Sequence, residues 1–107
     1  MVDIERVSEV ALTIITYSGL AKSAYIQAMR SFADQNAFNL KVEEGDEAFT
    51  TAHGAHAELL SLEMDKREPQ ISLLLAHAED QLMSAETIKT LALEIFNIIN
   101  AVRMERK

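Results

Sequence analysis

The 33 residues from Ile71 to Arg103, ISLLLAHAEDQLMSAETIKTLALEIFNIINAVR, decide the fold. They contain neither Gly nor Pro, and 19 of them are apolar. Leu75, Ala78, Leu82, Ala85, Leu93 and Phe96 gather on one face of a helix of 3.6 residues per turn. Ile88, Leu91, Ile95, Ile98 and Val102 recur at 3-4-3-4 spacing and form a second face. A helix resting on one side of a bundle needs an apolar stripe only about 100° wide. A helix of this length spans about 50 Å. Three helices of one chain cover one side of each, so the second face predicts burial against another subunit.

Traced toward its N-terminal end, the second face continues as Ser84, Gln81 and His77. The whole row is a heptad seam with an apolar lower half and a polar upper half. Asp80 lies beside it, three residues after His77. Polar groups in a packed seam cost stability unless they are satisfied. Three readings follow: a device that fixes register or oligomer state, a nucleophilic histidine beside a carboxylate, and a metal ligand set.

The rest of the chain reads as two more helices. Ile4, Val7, Ala11, Ile14, Ser18, Ala21, Tyr25, Ala28 and Phe32 step by threes and fours through a first segment of about residues 4–33. Gly19 interrupts that stripe, and a glycine so placed can permit close helix contact. Asp34-Gln35-Asn36 is the expected turn. A second segment of about residues 38–65 places Val42, Phe49, Ala52, His56 and Leu59 on one face. Its acidic patch Glu43-Glu44-Gly45-Asp46-Glu47 reads as a solvated face near the helix start, where the dipole favours carboxylates, with Gly45 as a candidate local break. Asp65-Lys66-Arg67-Glu68-Pro69-Gln70 is a connector, because proline can open a helix but not continue one.

Composition agrees. The chain has 107 residues, which makes a single domain over 1–107. Three Gly and one Pro are too few for an all-β domain. The expected architecture is all-α: an antiparallel three-helix bundle. The absence of Cys excludes disulfide scaffolds, thiol nucleophiles and Cys-based metal sites. A net charge of −7 argues against nucleic acid as a partner. No apolar run reaches the roughly 20 residues of a membrane span, and no signal-peptide core opens the chain. The expected location is the cytoplasm, without membrane insertion.

The segment Leu75-Ala76-His77-Ala78-Glu79-Asp80-Gln81-Leu82-Met83 resembles the active-site segment of the lactose/cellobiose-type IIA proteins. These are components of the bacterial phosphoenolpyruvate-dependent sugar phosphotransferase system. Their segment reads approximately His-(Gly or Ala)-Gln-Asp-His-Leu-Met. The stretch Ile14-Ile15-Thr16-Tyr17-Ser18-Gly19-Leu20-Ala21-Lys22-Ser23 is similar to the family's first-helix pattern, and Ala52-His53-Gly54-Ala55-His56-Ala57-Glu58-Leu59-Leu60 to its Ala-His-x-x-Gln…Leu-Leu stretch. Three positions depart from the pattern: Glu79 and His56 stand where Gln is usual, and Gln81 where a second His is usual. Ala78 after the histidine tilts the resemblance toward the cellobiose/chitobiose branch.

The resemblance implies that His77 takes a phosphoryl group from the phosphohistidine carrier HPr and passes it to a cysteine of the cognate IIB protein. It also implies a homotrimer with a structural Mg²⁺ on its axis, held by Asp80. The residue chemistry agrees with the first role. A neutral imidazole, with an ordinary pKa of about 6.5, is nucleophilic near neutral pH and leaves again from phosphorus. In-line phosphoryl transfer asks the protein mainly for position and charge stabilisation. A cation with oxygen ligands would relieve the repulsion of three Asp80 carboxylates meeting along the seam. Two alternatives stand beside it: a non-catalytic trimeric helical interaction module, and a metal-binding protein using His53, His56, His77 and Asp80. Met83 is a candidate for the apolar rim on which HPr and IIB dock.

Overall fold

The computed structural model describes residues 4–66 and 73–105. They form α1 (Ile4–Arg30), α2 (Gln35–Lys66) and α3 (Leu73–Glu105). Among the described residues there is no strand. The expected turn comes three residues earlier than the sequence suggested. α1 ends at Arg30, and its last carbonyls are closed by the Ser31 N–H on Gln27 O and Ala28 O, at 3.1 and 3.0 Å. Asp34 then caps α2: its Oδ1 accepts from the backbone N–H of Asn36 at 3.0 Å and of Ala37 at 3.2 Å. Such a cap satisfies two amides that have no partner inside the helix. Residues 67–70 of the proline connector lie outside the described residues, as do Ile71 and Ser72.

Two buried clusters set the directions of the helices. Val7, Val10, Ala11 and Ile14 of α1 pack on Ala52, Ala55 and Leu59 of α2 and on Leu75, Ala78 and Leu82 of α3. Ala21 and Tyr25 pack on Ala85 and Ala92, with Val42 and Ala48 alongside. The first half of α1 therefore meets the second half of α2 and the first half of α3. Successive helices are antiparallel, and α1 and α3 run the same way. α1 lies along both partners, whereas α2 and α3 meet sparsely.

The first-helix stripe is a core stripe, as the spacing required. Val7, Ala11, Ile14, Ser18, Ala21, Tyr25 and Ala28 are all buried. Phe32 is the exception. It falls beyond the helix end, where the Arg103 guanidinium stands 5.5 Å from its ring centroid. On α3, Leu75, Ala78, Leu82 and Ala85 are buried as expected, but Leu93 is not. Ala92 takes the buried position instead, and Phe96 reaches across to stack on Phe38 at 3.9 Å. The buried row keeps a strict 3-4 spacing from Leu75 through Ala78, Leu82 and Ala85 to Ala92, and Leu93 lies one position off it.

Gly45 does not break α2. The helix is continuous through it, and a Cβ built there would lie 2.4 Å from Cε1 of Tyr25. The missing side chain makes room for that ring, which is fully buried. The acidic segment is likewise three turns into the helix rather than at its start. Asp46 accepts the Tyr25 hydroxyl at 2.7 Å and the Lys89 ammonium at 2.8 Å, so one carboxylate ties α1 and α3 to α2. Burial, and then the bond to Asp46, push the Tyr25 pKa well above the ordinary tyrosine value. Gly19 serves no contact of this kind within the chain; no heavy atom lies within 4 Å of its would-be Cβ.

The molecule is a rod, 64 × 20 × 18 Å, with a radius of gyration of 17.1 Å. A compact domain of about 100 residues has a radius near 13 Å. A rod only two helices thick leaves many large apolar side chains in water, and their distribution positions the site.

Candidate functional site

His77 stands in the second turn of α3, near one end of the rod, with its side chain exposed. Among the described residues it makes no hydrogen bond or ion pair. Ala78 and Leu75, its neighbours on the core side, fix the backbone against α1 and α2. The ring is thus held by its helix and left open to visitors. Leu73 and Leu74 share an open hollow with it. Leu73 is 89% exposed and Met83 65% exposed, so apolar surface flanks the ring along the helix.

At 100° per residue, Asp80 and Gln81 straddle the direction of His77 one turn further along. Asp80 is exposed and makes no ion pair among the described residues. Gln81 is half-buried, and its Oε1 accepts from the Lys22 ammonium of α1. Glu79 points the other way, toward α2. There its Oε1 lies 3.2 Å from Nε2 of His56. Two of the three positions that depart from the family pattern are therefore partners of each other across α2 and α3.

The second face of α3 continues from this polar end. Ser84 and Ile88 are half-buried, but Leu91, Ile95, Ile98 and Val102 are 48%, 40%, 60% and 47% exposed. Among the described residues, no other element of the same chain covers them. The sequence reading of two apolar faces therefore holds in the structure, with one face in the core and one outside it.

His53 and His56 do not act together. His53 is exposed, with its ring edge-on to Phe49 at 4.8 Å. His56 is engaged with Glu79. Among the described residues, no three His, Asp or Glu side chains gather as a metal site within one chain. Asp80 offers one carboxylate per chain. Nor is any helix of the described residues long and apolar enough to cross a membrane.

Sequence reasoning did not find the Lys22–Gln81 bond or the Tyr25–Asp46–Lys89 network. Lys22 lies on the flank of the first-helix stripe, and periodicity says nothing about where a long polar side chain ends.

The chemistry of this arrangement is that of an accessible nucleophile on a rigid helix, with a carboxylate and an amide at its sides. Comparison with known proteins gives it a context. Residues 9–100 match the family described as "PTS system, Lactose/Cellobiose specific IIA subunit". Among similar proteins are the lichenan-specific phosphotransferase enzyme IIA component of Bacillus subtilis (27% identical over 104 residues, 95% of this chain and 94% of the relative). The oligo-beta-mannoside-specific EIIA component of the same organism is 28% identical over 92 residues, covering 84% of each chain. The lactose-specific EIIA component of Lacticaseibacillus casei is 28% identical over 82 residues, 75% of this chain and 73% of the relative. No solved structure matches the chain.

Proposed function

This chain belongs to the lactose/cellobiose-specific IIA subunits, phosphotransferase components of the sugar phosphotransferase system, and on that premise we propose that it carries phosphoryl groups on His77 from phospho-HPr to a cysteine of its IIB partner. The observation that supports this reading is the state of His77: an exposed imidazole without a partner among the described residues, set on a helix whose inner face is anchored in the core, within the matched region. A histidine kept only for packing would be buried and hydrogen-bonded.

In the first step, a lone pair of the neutral His77 ring forms a bond to phosphorus as the donor's P–N bond breaks. The bonding pair returns to the donor's ring nitrogen. In the second step, a thiolate attacks the same phosphorus, the P–N bond to His77 breaks, and the ring recovers its lone pair. No redox change occurs, and the phosphoryl group is conserved. The protein supplies orientation and charge stabilisation, which dominate catalysis of such transfers. The work takes place in the cytoplasm, where HPr and IIB meet the chain, and this chain does not touch the sugar. The sugars named for the relatives above are all β-linked, and we assign this carrier to uptake of a β-linked di- or oligosaccharide.

The exposed face Leu91, Ile95, Ile98 and Val102 supports assembly as a parallel trimer, with the three α3 seams packed together. The same packing brings three Asp80 carboxylates together. Asp80 has no cation partner among the described residues of its own chain, and its oxygens suit a hard divalent ion such as Mg²⁺ that keeps its remaining waters. Such an ion, held by the three Asp80 side chains, neutralises their repulsion and has a structural role.

The test is phosphorylation by enzyme I, HPr and phosphoenolpyruvate. One acid-labile, base-stable phosphate per chain is expected, with none on His77→Ala. Labelling that persists in that variant refutes the assignment.

A further inference from the structure

Lys22 is a part of this site to which neither the matched family description nor the reading above assigns a role. Its ammonium donates to Oε1 of Gln81, and Gln81 lies one helical turn after His77. Side chains on a helix lean toward its N-terminus. α1 and α3 run the same way, so Lys22 on α1 and Gln81 on α3 both lean toward the end of the rod that holds His77. Other basic side chains are differently placed. Arg6 sits on Glu58 and Glu9, Lys41 on Glu44, and Lys89 on Asp46. Lys22 ends instead on a neutral amide, so its charge is not compensated by that contact, and its remaining N–H donors meet no acceptor among the described residues.

From this we infer that Lys22, steered by Gln81, is the positioning cation that holds the phosphoryl group once it is on His77. The inference rests on the phosphoryl-carrier reading. A phosphate on the imidazole brings close to two negative charges beside Asp80 and one turn from Gln81. Lys22 moves from the amide oxygen to a phosphoryl oxygen, or bridges both.

The discriminating quantity is an equilibrium. A residue that only docks the donor changes forward and reverse rates together and leaves the equilibrium between free phospho-HPr and free phosphorylated chain unchanged. A residue that contacts the phosphoryl group shifts it. Lys22→Met keeps the aliphatic stem and removes the charge; Lys22→Arg keeps the charge. The phosphorylated fraction is measured for each against a fixed ratio of phospho-HPr to HPr, with thermal melting as the control for folding. Lys22→Met is expected to lower the equilibrium constant by about tenfold or more, the size of a hydrogen bond to a charged group. Lys22→Arg is expected to stay within about threefold of the wild type, and both variants to melt with the wild type. An unchanged equilibrium constant in Lys22→Met overturns the inference while leaving the carrier function intact, even if the rate of transfer falls. A wild-type chain that accepts no phosphate overturns both.

Discussion

Ile98 gives the sharpest structural test of assembly. It sits in the middle of the outer seam and is 60% exposed in the single chain. Replacing it with Gln therefore costs the isolated bundle little. In a trimer the same position is dry. Full burial of an isoleucine stabilises by about 1.5–3 kcal/mol, and the exposed share leaves about 1–2 kcal/mol per chain to association. Three chains make roughly 3–6 kcal/mol, before any cost of three amides left unsatisfied in the seam. At 1.4 kcal/mol per decade, the trimer's association constant falls by about 10² to 10⁴. Sedimentation equilibrium over a dilution series reads this directly. The wild type is expected at three times the 11.9 kDa chain mass, and Ile98→Gln is expected to dissociate at concentrations where the wild type holds. Helical content at high concentration should be preserved. A wild-type monomer, or a variant that assembles as tightly as the parent, refutes the reasoning that the second face is a subunit seam.

Two predictions concern the network that joins the three helices. Gly45→Ala gains about 1 kcal/mol of helix propensity, but its Cβ would enter the Tyr25 ring at 2.4 Å. Overpacking costs typically 1–3 kcal/mol, and displacing the ring also threatens its bond to Asp46. A lower melting temperature is expected; a higher one shows that the ring has room to move. Tyr25 also makes stability fall in alkali. Its folded pKa lies above the ordinary value of 10.0, so the neutral hydroxyl is favoured by folding. That contribution is complete below about pH 10 and is lost as pH rises through the folded value. Tyr25→Phe is expected to flatten this alkaline loss in melts across the range, and an identical loss in the variant counts against the assignment.

Much of the fold was legible because periodicity reports burial. The rows Val7 to Ala28 and Leu75 to Ala85 are core rows, since a helix repeating every 3.6 residues must place such residues on one side. The outer face of α3 was legible for the same reason, and its exposure in the chain is what two apolar faces on one helix require. The errors came where periodicity is silent or ambiguous. Leu93 read as a core residue, but the buried row Ala78, Ala85 and Ala92 keeps a seven-residue spacing and leaves Leu93 one position off it. Gly45 read as a break because sequence does not show the ring that will lie over a glycine. Glu43, Glu44 and Glu47 of the acidic run are exposed as read, but Asp46 binds Tyr25 and Lys89, residues 21 and 43 positions away. His77 was visible through the resemblance of its segment. Lys22 was not, because its position beside Gln81 depends on the parallel course of α1 and α3, which is a property of the packed bundle.

The central claim is that one imidazole carries the phosphoryl group, and the most direct measurement is intact-mass analysis of the chain after incubation with enzyme I, HPr and phosphoenolpyruvate. The account predicts a single added phosphate that fragmentation maps to His77, and that is lost on transfer to the IIB partner. A phosphate mapping to His53 or His56, or a chain whose mass does not change while HPr is fully phosphorylated, contradicts it.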